Sequence, residues 1–373
     1  MQMNLVARGL LVWELTGSYA DVGIVSFAAG LPMFIFSPFG GAVADRINKR
    51  DLIIASQIVL SAALLGIALL ILLDLIEVWH LILAAVANGL MMAVNLPTRQ
   101  AIVPQLVRKS QVMNAVALNS GSQNLNRVLA PGLGGLVIGL AGFSEVYFLM
   151  MILAWCSAFL MFFVRLDAAT DSYRESVGSY MMAGVKYVRS VPAIRDLVIM
   201  AIVPVVLGMP YMMELGAFAR DILDVSHLRA GILYSATGVG ALAGSLAIAV
   251  LGNYHRKGVL LICAAAFFGL TLVLLSLSVG FYIPFLILLG VGIANAVYLV
   301  VNNTLILMNT EAAMHGRVMG LYSMSIALFP MAVWPVGELM DLFSPRLVFG
   351  ACGGIIMMFS IVMLLYSPTL RRL

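Results

Sequence analysis

Apolar residues in this chain come in long unbroken runs, separated by short charged or turn-forming stretches. The runs cover roughly residues 1–16, 20–44, 51–74, 78–101, 110–141, 143–164, 196–219, 226–251, 257–279, 281–308, 312–340 and 346–367. Most have the 20 or so residues that an α-helix needs to cross about 30 Å of hydrocarbon. None alternates with a period of two, which excludes a closed β-barrel. The pattern predicts an all-α membrane protein with about twelve transmembrane helices. The first run is short: its 16 residues reach only about 24 Å. Either helix 1 starts late or the chain lacks its true N-terminus, and the latter is the expectation. That run has no basic leader and no cleavage site, and it carries Arg8, so it does not read as a signal peptide.

The polar stretches fix an orientation. If helix 1 starts in the cytoplasm, the inside segments hold 15 Lys and Arg residues and the outside loops hold Arg220, Arg229 and Arg346, with Arg8, Arg99 and Arg127 inside spans. This asymmetry follows the positive-inside rule and supports twelve spans. The longest polar stretch, 165–195, carries Val177, Met181, Gly184, Val185 and Val188 at helical spacing, with Arg174, Glu175, Lys186 and Arg189 off that stripe and Pro192 ending it. It reads as an amphipathic cytoplasmic linker between a bundle at 1–164 and a second at 196–373.

The two bundles repeat. At an offset of 203, Ala93, Val94 and Leu96 fall on Ala296, Val297 and Leu299, Leu118 and Ser120 on Leu321 and Ser323, Gly134 on Gly337, and Gly41 on Gly244. Duplicated halves are a mark of secondary transporters.

Composition agrees. The chain is 62% hydrophobic and 10% charged, with a mean hydropathy of +1.06, against about 25% charged for a soluble domain. Cys156, Cys263 and Cys352 lie far apart inside apolar runs and suggest neither disulfides nor a metal site. The formal charge of +4 is strung between spans, which points to topology rather than to nucleic acid.

Polar residues inside the spans carry the candidate chemistry, because they are costly in lipid and normally face a partner or a watery cavity. On helix 5, Asn119, Gln123, Asn126 and Arg127 form a stripe ending in an arginine within the span. Arg8 in helix 1, Asn95 and Arg99 in helix 4, Glu214 in helix 7 and Asn295, Asn302 and Asn303 in helix 10 extend the set. A purely structural ion pair is the plain alternative for such residues. Glu214 is the candidate for proton coupling, as a carboxylate able to exchange protons with the outside; near the outer end it would instead be a gate residue.

Two motifs bring a family into view. The end of helix 2 reads Gly40-Gly41-Ala42-Val43-Ala44-Asp45-Arg46-Ile47-Asn48-Lys49-Arg50 and resembles the signature loop of the major facilitator superfamily. The resemblance implies a cytoplasmic gate of Gly41, Asp45, Arg46, Lys49 and Arg50 that meets Gly316 and Arg317 at the start of helix 11. A solvated basic loop is the simpler reading. Asn48 stands where a second Gly is usual, and Ile248 stands at the place matching Asp45, so the latch is one-sided. Helix 5 holds Ala130-Pro131-Gly132-Leu133-Gly134-Gly135, similar to the packing motif of antiporter members, with Pro131, Gly132, Gly134 and Gly135 as its elements. Ordinary helix packing competes with an export role here, because small residues let helices approach closely. Leu15-Thr16-Gly17-Ser18, Ala117-Leu118-Asn119-Ser120, Asn126-Arg127 and Gly316-Arg317-Val318-Met319-Gly320-Leu321 look like the branch containing enterobactin exporters and macrolide-efflux-like proteins. In that family helices 1, 4, 7 and 10 line the central cavity.

Other chemistries find no support. Gly238-Val239-Gly240 lies in an apolar span without a βαβ context, and His80, His227, His255 and His315 are scattered at loops or span ends, far apart in the chain. No nucleophile–base pair or metal set is visible, and no loop is large enough for a sensory output domain. The expectation is a non-enzymatic, cofactor-free, metal-free transporter of the cell membrane, exporting a small partly apolar molecule (drug or siderophore-like) against protons by alternating access. A monomer in the lipid bilayer is expected, with no nucleic-acid partner. An uncoupled facilitator or an importer, and more remotely an inactive fragment or a membrane-embedded non-transport protein, are the alternatives.

Overall fold

The computed structural model describes residues 2–46, 48–103, 106–108, 111–164, 177–250, 256–311 and 314–373; for 38–46, 96, 97, 100, 101, 113, 116, 117, 177–181, 323, 327 and 372 it describes the backbone alone. Regular structure among the described residues is helical, with no strand. The first six helices are α1 (Gln2–Thr16), α2 (Tyr19–Arg46), α3 (Lys49–Leu72), α4 (Val78–Ile102), α5 (Val112–Leu140) and α6 (Phe143–Met161). After α7 (Val177–Ser190) come α8 (Pro192–Gly208), α9 (Tyr211–Asp221), α10 (His227–Val250), α11 (Lys257–Leu277) and α12 (Tyr282–Asn309). The chain closes with α13 (His315–Ala327), α14 (Phe329–Leu342), α15 (Pro345–Tyr366) and the short α16 (Pro368–Arg372).

Ten spans among the described residues are long and apolar enough to cross a membrane, with Pro192–Asp221 and His315–Leu342 each counted as one. The other two of the twelve predicted are α1, which is only 15 residues long, and α5, whose polar stripe dilutes its hydropathy. α5 nevertheless runs antiparallel along α10, from Gly135 against Gly231 to the Arg127 carbonyl against Gly238.

Two predicted spans are not single rods. The span containing α8 and α9 breaks at Met209–Pro210, and the one containing α13 and α14 changes at Leu328, two residues before Pro330. Proline has no N–H to continue the ladder, and its ring collides with the carbonyl one turn back.

The repeat seen in sequence reappears in the packing. α2 lies against α4 as α10 lies against α12, α3 against α6 as α11 against α15, and α2 against α14 as α10 against α5. Gly89 and Gly292, which are 203 residues apart, do the same work. A Cβ on Gly89 would stand 2.1 Å from the Ala29 carbonyl oxygen, and one on Gly292 would stand 2.1 Å from that of Thr237. Only glycine lets these helix pairs come so close.

On the basic side of the membrane, α7 docks against α13. Gly184 faces the Arg317 carbonyl and the Leu321 side chain, and Val188 joins a buried cluster with Ile194, Leu197, Tyr298 and Tyr322. Tyr187 Oη accepts a hydrogen bond from the Glu311 amide at 3.2 Å. α16 folds back onto the same side: Ser367 and Thr369 hydroxyls donate to Asp196 at 2.6 and 3.0 Å, and the Lys257 amide donates to the Leu373 carbonyl.

Candidate functional site

The predicted transport-path residues fall into three settings. On α5, Gln123, Asn126 and Arg127 are exposed and Asn119 is half-buried, and Arg127 makes no hydrogen bond or ion pair among the described residues. Its carbonyl lies in the α5–α10 contact, where a Cβ on Gly238 would stand 2.6 Å away. The stripe therefore runs beside the junction between the two groups of helices without being consumed by it.

A second group is tied up inside one set of helices. Asn95 Nδ2 donates to Ser56 Oγ on α3 at 2.6 Å, and Asn295 Nδ2 lies 3.8 Å from the Met209 sulfur at the break between α8 and α9. Arg99 is exposed at the basic end of α4, and Asn303 is half-buried on α12.

The third group is buried and short of partners. Arg8 is 9% exposed, Asn302 and Glu214 are fully buried, the carboxylate oxygens of Glu214 find no hydrogen bond, and the Asn302 amide has only the Tyr298 hydroxyl, one turn back on α12, beside it. Such a polar group costs roughly 1–3 kcal/mol and more when charged, so these positions are unexplained by packing alone. Glu214 stands in the first turn of α9, about 10 Å below the outer end of that helix at Asp221. Two residues on, the Gly216 amide donates to Tyr234 Oη at 2.9 Å.

Above Glu214 lies a polar lock that the sequence reading did not single out. Asp341, at the end of α14, accepts from the Tyr19 amide at 3.0 Å through one oxygen. Its other oxygen accepts from the Ala20 amide at 2.9 Å and Ser18 Oγ at 2.7 Å. Tyr19 Oη donates to Asp221 at 3.0 Å. Glu14 at the end of α1 meets Arg220 Nε at 3.2 Å and His227 Nε2 at 2.9 Å. Each of these bonds joins α1, α2 or the turn between them to α9, α10 or α14, across more than 200 residues of sequence. The partners are span-end polar side chains of the kind that read as loop, and main-chain amides, so only the three-dimensional pairing reveals them.

On the basic side, the side chains of Gly41, Asp45 and Arg46 lie outside the described residues, although α2 is helical through Arg46. Asn48 caps α3 by accepting from the Arg50 amide at 3.0 Å, and the Arg50 guanidinium stands 5.8 Å from the Phe162 ring centre. Lys49 is half-buried beside it. Gly316 and Arg317 open α13, where Arg317 Nη1 approaches the Met314 sulfur at 3.5 Å.

The packing motif on α5 sits where helices cross. The Pro131 carbonyl faces Gly231, Gly132 faces Ser235, Gly134 faces Met3, and Gly135 faces Gly231 and the His227 carbonyl. Three of the four positions thus meet α10.

Its family and its relatives make this all-helical, membrane-spanning chain with paired halves a multi-pass membrane transporter of the major facilitator type, not an enzyme. Solved structures agree on the fold. A nucleoside transporter, NupG, superposes with a TM-score of 0.78 at 16% identity over 97% of this chain and 95% of its own. A POT family transporter superposes with 0.77 at 11% identity over 99% and 94%. The chain belongs to the transmembrane secretion effector family, whose model it matches over residues 1–365. It is 24% identical to the multidrug efflux pump Tap of Mycolicibacterium fortuitum, over 100% of this chain and 93% of that protein. It is 23% identical to the enterobactin exporter EntS of Escherichia coli, over 99% and 90%. It is a protein of the cell membrane.

Proposed function

We propose that this chain exports a small, partly apolar molecule in exchange for protons, by alternating access, as a monomer in the bilayer. The bundles at 1–164 and 196–373 are its moving halves and 165–195 their linker. The observation that carries the reading is the stacking on α9. Arg220 and Asp221 hold the outer lock, and about two turns deeper Glu214 presents a buried carboxylate with no partner. A carboxylate so placed is cheap to bury only when protonated, so protonating Glu214 and closing the outer lock over it favour each other, while opening the lock favours the ionised form. Export is the direction suggested by the multidrug pump and the enterobactin exporter, and their names point to drug- or siderophore-like substrates.

On this reading the stripe Asn119, Gln123, Asn126 and Arg127, together with Arg8, Asn95, Arg99, Asn295, Asn302 and Asn303, borders the substrate path. Asp45, with Gly41, Arg46, Lys49, Arg50, Gly316 and Arg317, forms the cytoplasmic gate. The test is dye efflux in proteoliposomes driven by a pH gradient. Glu214→Gln is expected to abolish gradient-driven accumulation while leaving downhill exchange; accumulation at the parent rate removes Glu214 from the coupling role. Reversing the gradient separates a coupled exporter from a facilitator, whose net flux follows the substrate gradient alone.

A further inference from the structure

Arg8 sits in an environment that packing does not account for. It lies midway along α1, 9% exposed, and among the described residues it forms neither an ion pair nor a hydrogen bond. Nor does its bundle offer an acid at its depth. The acidic residues of the first 164 positions are Glu14, Asp21, Asp45, Asp51, Asp74, Glu77 and Glu145, all at span ends. A guanidinium enclosed by helices in a membrane needs a counter-charge or a dense set of acceptors to offset its desolvation.

What it meets instead is a cavity. Arg8 lines a void of about 20 Å³ between α1, α3, α4 and α6, together with Asn4, Asn88 and Tyr147. Tyr147 is 2% exposed and its hydroxyl has no partner. The rest of the wall is aliphatic, including Leu60, Leu64 and Leu81. Arg8 also borders a cleft that reaches Ser26 on α2 and Met213 on α9, so the same side chain touches the junction with the second bundle.

The polar lining is donor-rich: one guanidinium, one phenolic hydroxyl and two carboxamides, with no carboxylate. That composition prefers an anion to a cation or to an apolar group. The volume holds about one water-sized group, which suits a halide or the tip of a larger molecule and excludes a whole drug-sized ligand.

We infer that Arg8, Tyr147, Asn4 and Asn88 form an anion subsite that takes one small negatively charged group. That group is either a dissolved halide or the acidic oxygen of the transported molecule. The second source rests on the exporter reading above; the first does not.

The test uses the full chain, purified in detergent, and follows its thermal unfolding at constant ionic strength. Sodium chloride is compared with sodium gluconate, whose hydrated polyol chain the aliphatic walls of the cavity exclude, and salicylate with the neutral salicylamide. A rise in Tm with chloride over gluconate supports a free-anion source, and a rise with salicylate over salicylamide but none with chloride supports a substrate-borne acid. Either response must vanish in Arg8→Gln and persist, weakened, in Arg8→Lys. Tyr147→Phe removes only a hydroxyl and keeps the test decisive if Arg8→Gln does not fold; it should raise the half-effective anion concentration roughly ten-fold. No difference between anion and control in the parent protein, or an unchanged response in Tyr147→Phe and in whichever Arg8 variant folds, overturns the subsite. Gradient-driven efflux of a dye without acidic groups is measured alongside. Intact efflux with no anion response discards the subsite and keeps the exporter; an anion response without efflux does the reverse.

Discussion

Asp341 caps the first turn of α2, taking the Tyr19 amide at 3.0 Å and the Ala20 amide at 2.9 Å although more than 300 residues separate them. A carboxylate at a helix N-terminus satisfies amides that have no intrahelical acceptor and meets the positive end of the helix dipole. Here the capping residue belongs to another helix, so the bond that completes α2 also closes the outer face.

Asp341→Ala should therefore loosen that face. Loss of an N-cap of this kind costs about 1–2 kcal/mol, which corresponds to roughly a five- to thirty-fold shift toward the open form. Val12, fully buried beneath the lock, reports it. In a background without the three native cysteines, Val12→Cys should react slowly with an external membrane-impermeant maleimide, and several-fold faster when combined with Asp341→Ala. Equal rates would show that the cap does not hold the gate.

The exposed part of the lock is a weaker device. Glu14, Arg220 and His227 are each about a quarter to a third exposed, and pairs of this sort contribute about 0–1 kcal/mol. Glu14→Gln should change maleimide access to Val12→Cys by less than about five-fold, clearly less than Asp341→Ala does.

Gly89→Ala and Gly292→Ala should each reduce the yield of folded protein and lower its Tm, because the new methyl would overlap a carbonyl oxygen at 2.1 Å in both. Overpacking typically costs about 1–3 kcal/mol. Gly66→Ala and Gly354→Ala, where a Cβ meets nothing within 4 Å, should express and melt like the parent. Comparable losses in all four would mean that helix approach is not what these glycines provide.

Gly184→Val should undock α7 from α13, since even a Cβ there stands 3.2 Å from the Arg317 carbonyl oxygen and from Leu321. Limited trypsin digestion of inside-out vesicles reads this directly. Cleavage after Lys186 and Arg189 should speed up at least three-fold, and unchanged cleavage would refute the docking.

Asp45→Asn tests the cytoplasmic gate inferred from the resemblance. The variant should insert at parent levels and lose most dye efflux; normal flux would remove Asp45 from that role.

Much of this fold is legible in the sequence, because burial in lipid imposes one rule on every span: a continuous apolar run long enough to cross. That rule locates the helices, and the Lys and Arg asymmetry orients them. It misses the breaks at Pro210 and near Leu328, since hydropathy is blind to a ladder interruption inside an apolar run. The equivalence of Gly89 and Gly292 was open to the same 203-residue offset that pairs Gly134 with Gly337, but a conserved spacing does not say which glycine meets a carbonyl. The site is less legible. Polar residues inside spans, such as Arg8, Glu214 and Asn302, stand out by cost alone. Asn95 stands out equally, yet its amide is occupied by Ser56. The outer lock escapes altogether, because charges at span ends are the ordinary consequence of crossing a membrane, and their partners are set by how the two halves meet.

Two of the three donors that Asp341 gathers are main-chain amides. Substitutions at positions 19 and 20, proline apart, leave those N–H groups in place, so the capping part of the closure presents a mutational target of essentially one residue, whereas the bond to Asp221 depends on the Tyr19 hydroxyl itself. At Ala20, where only the amide takes part, the outer end of α2 is thereby free to drift in sequence, and to alter what passes beside it, without forfeiting the cap.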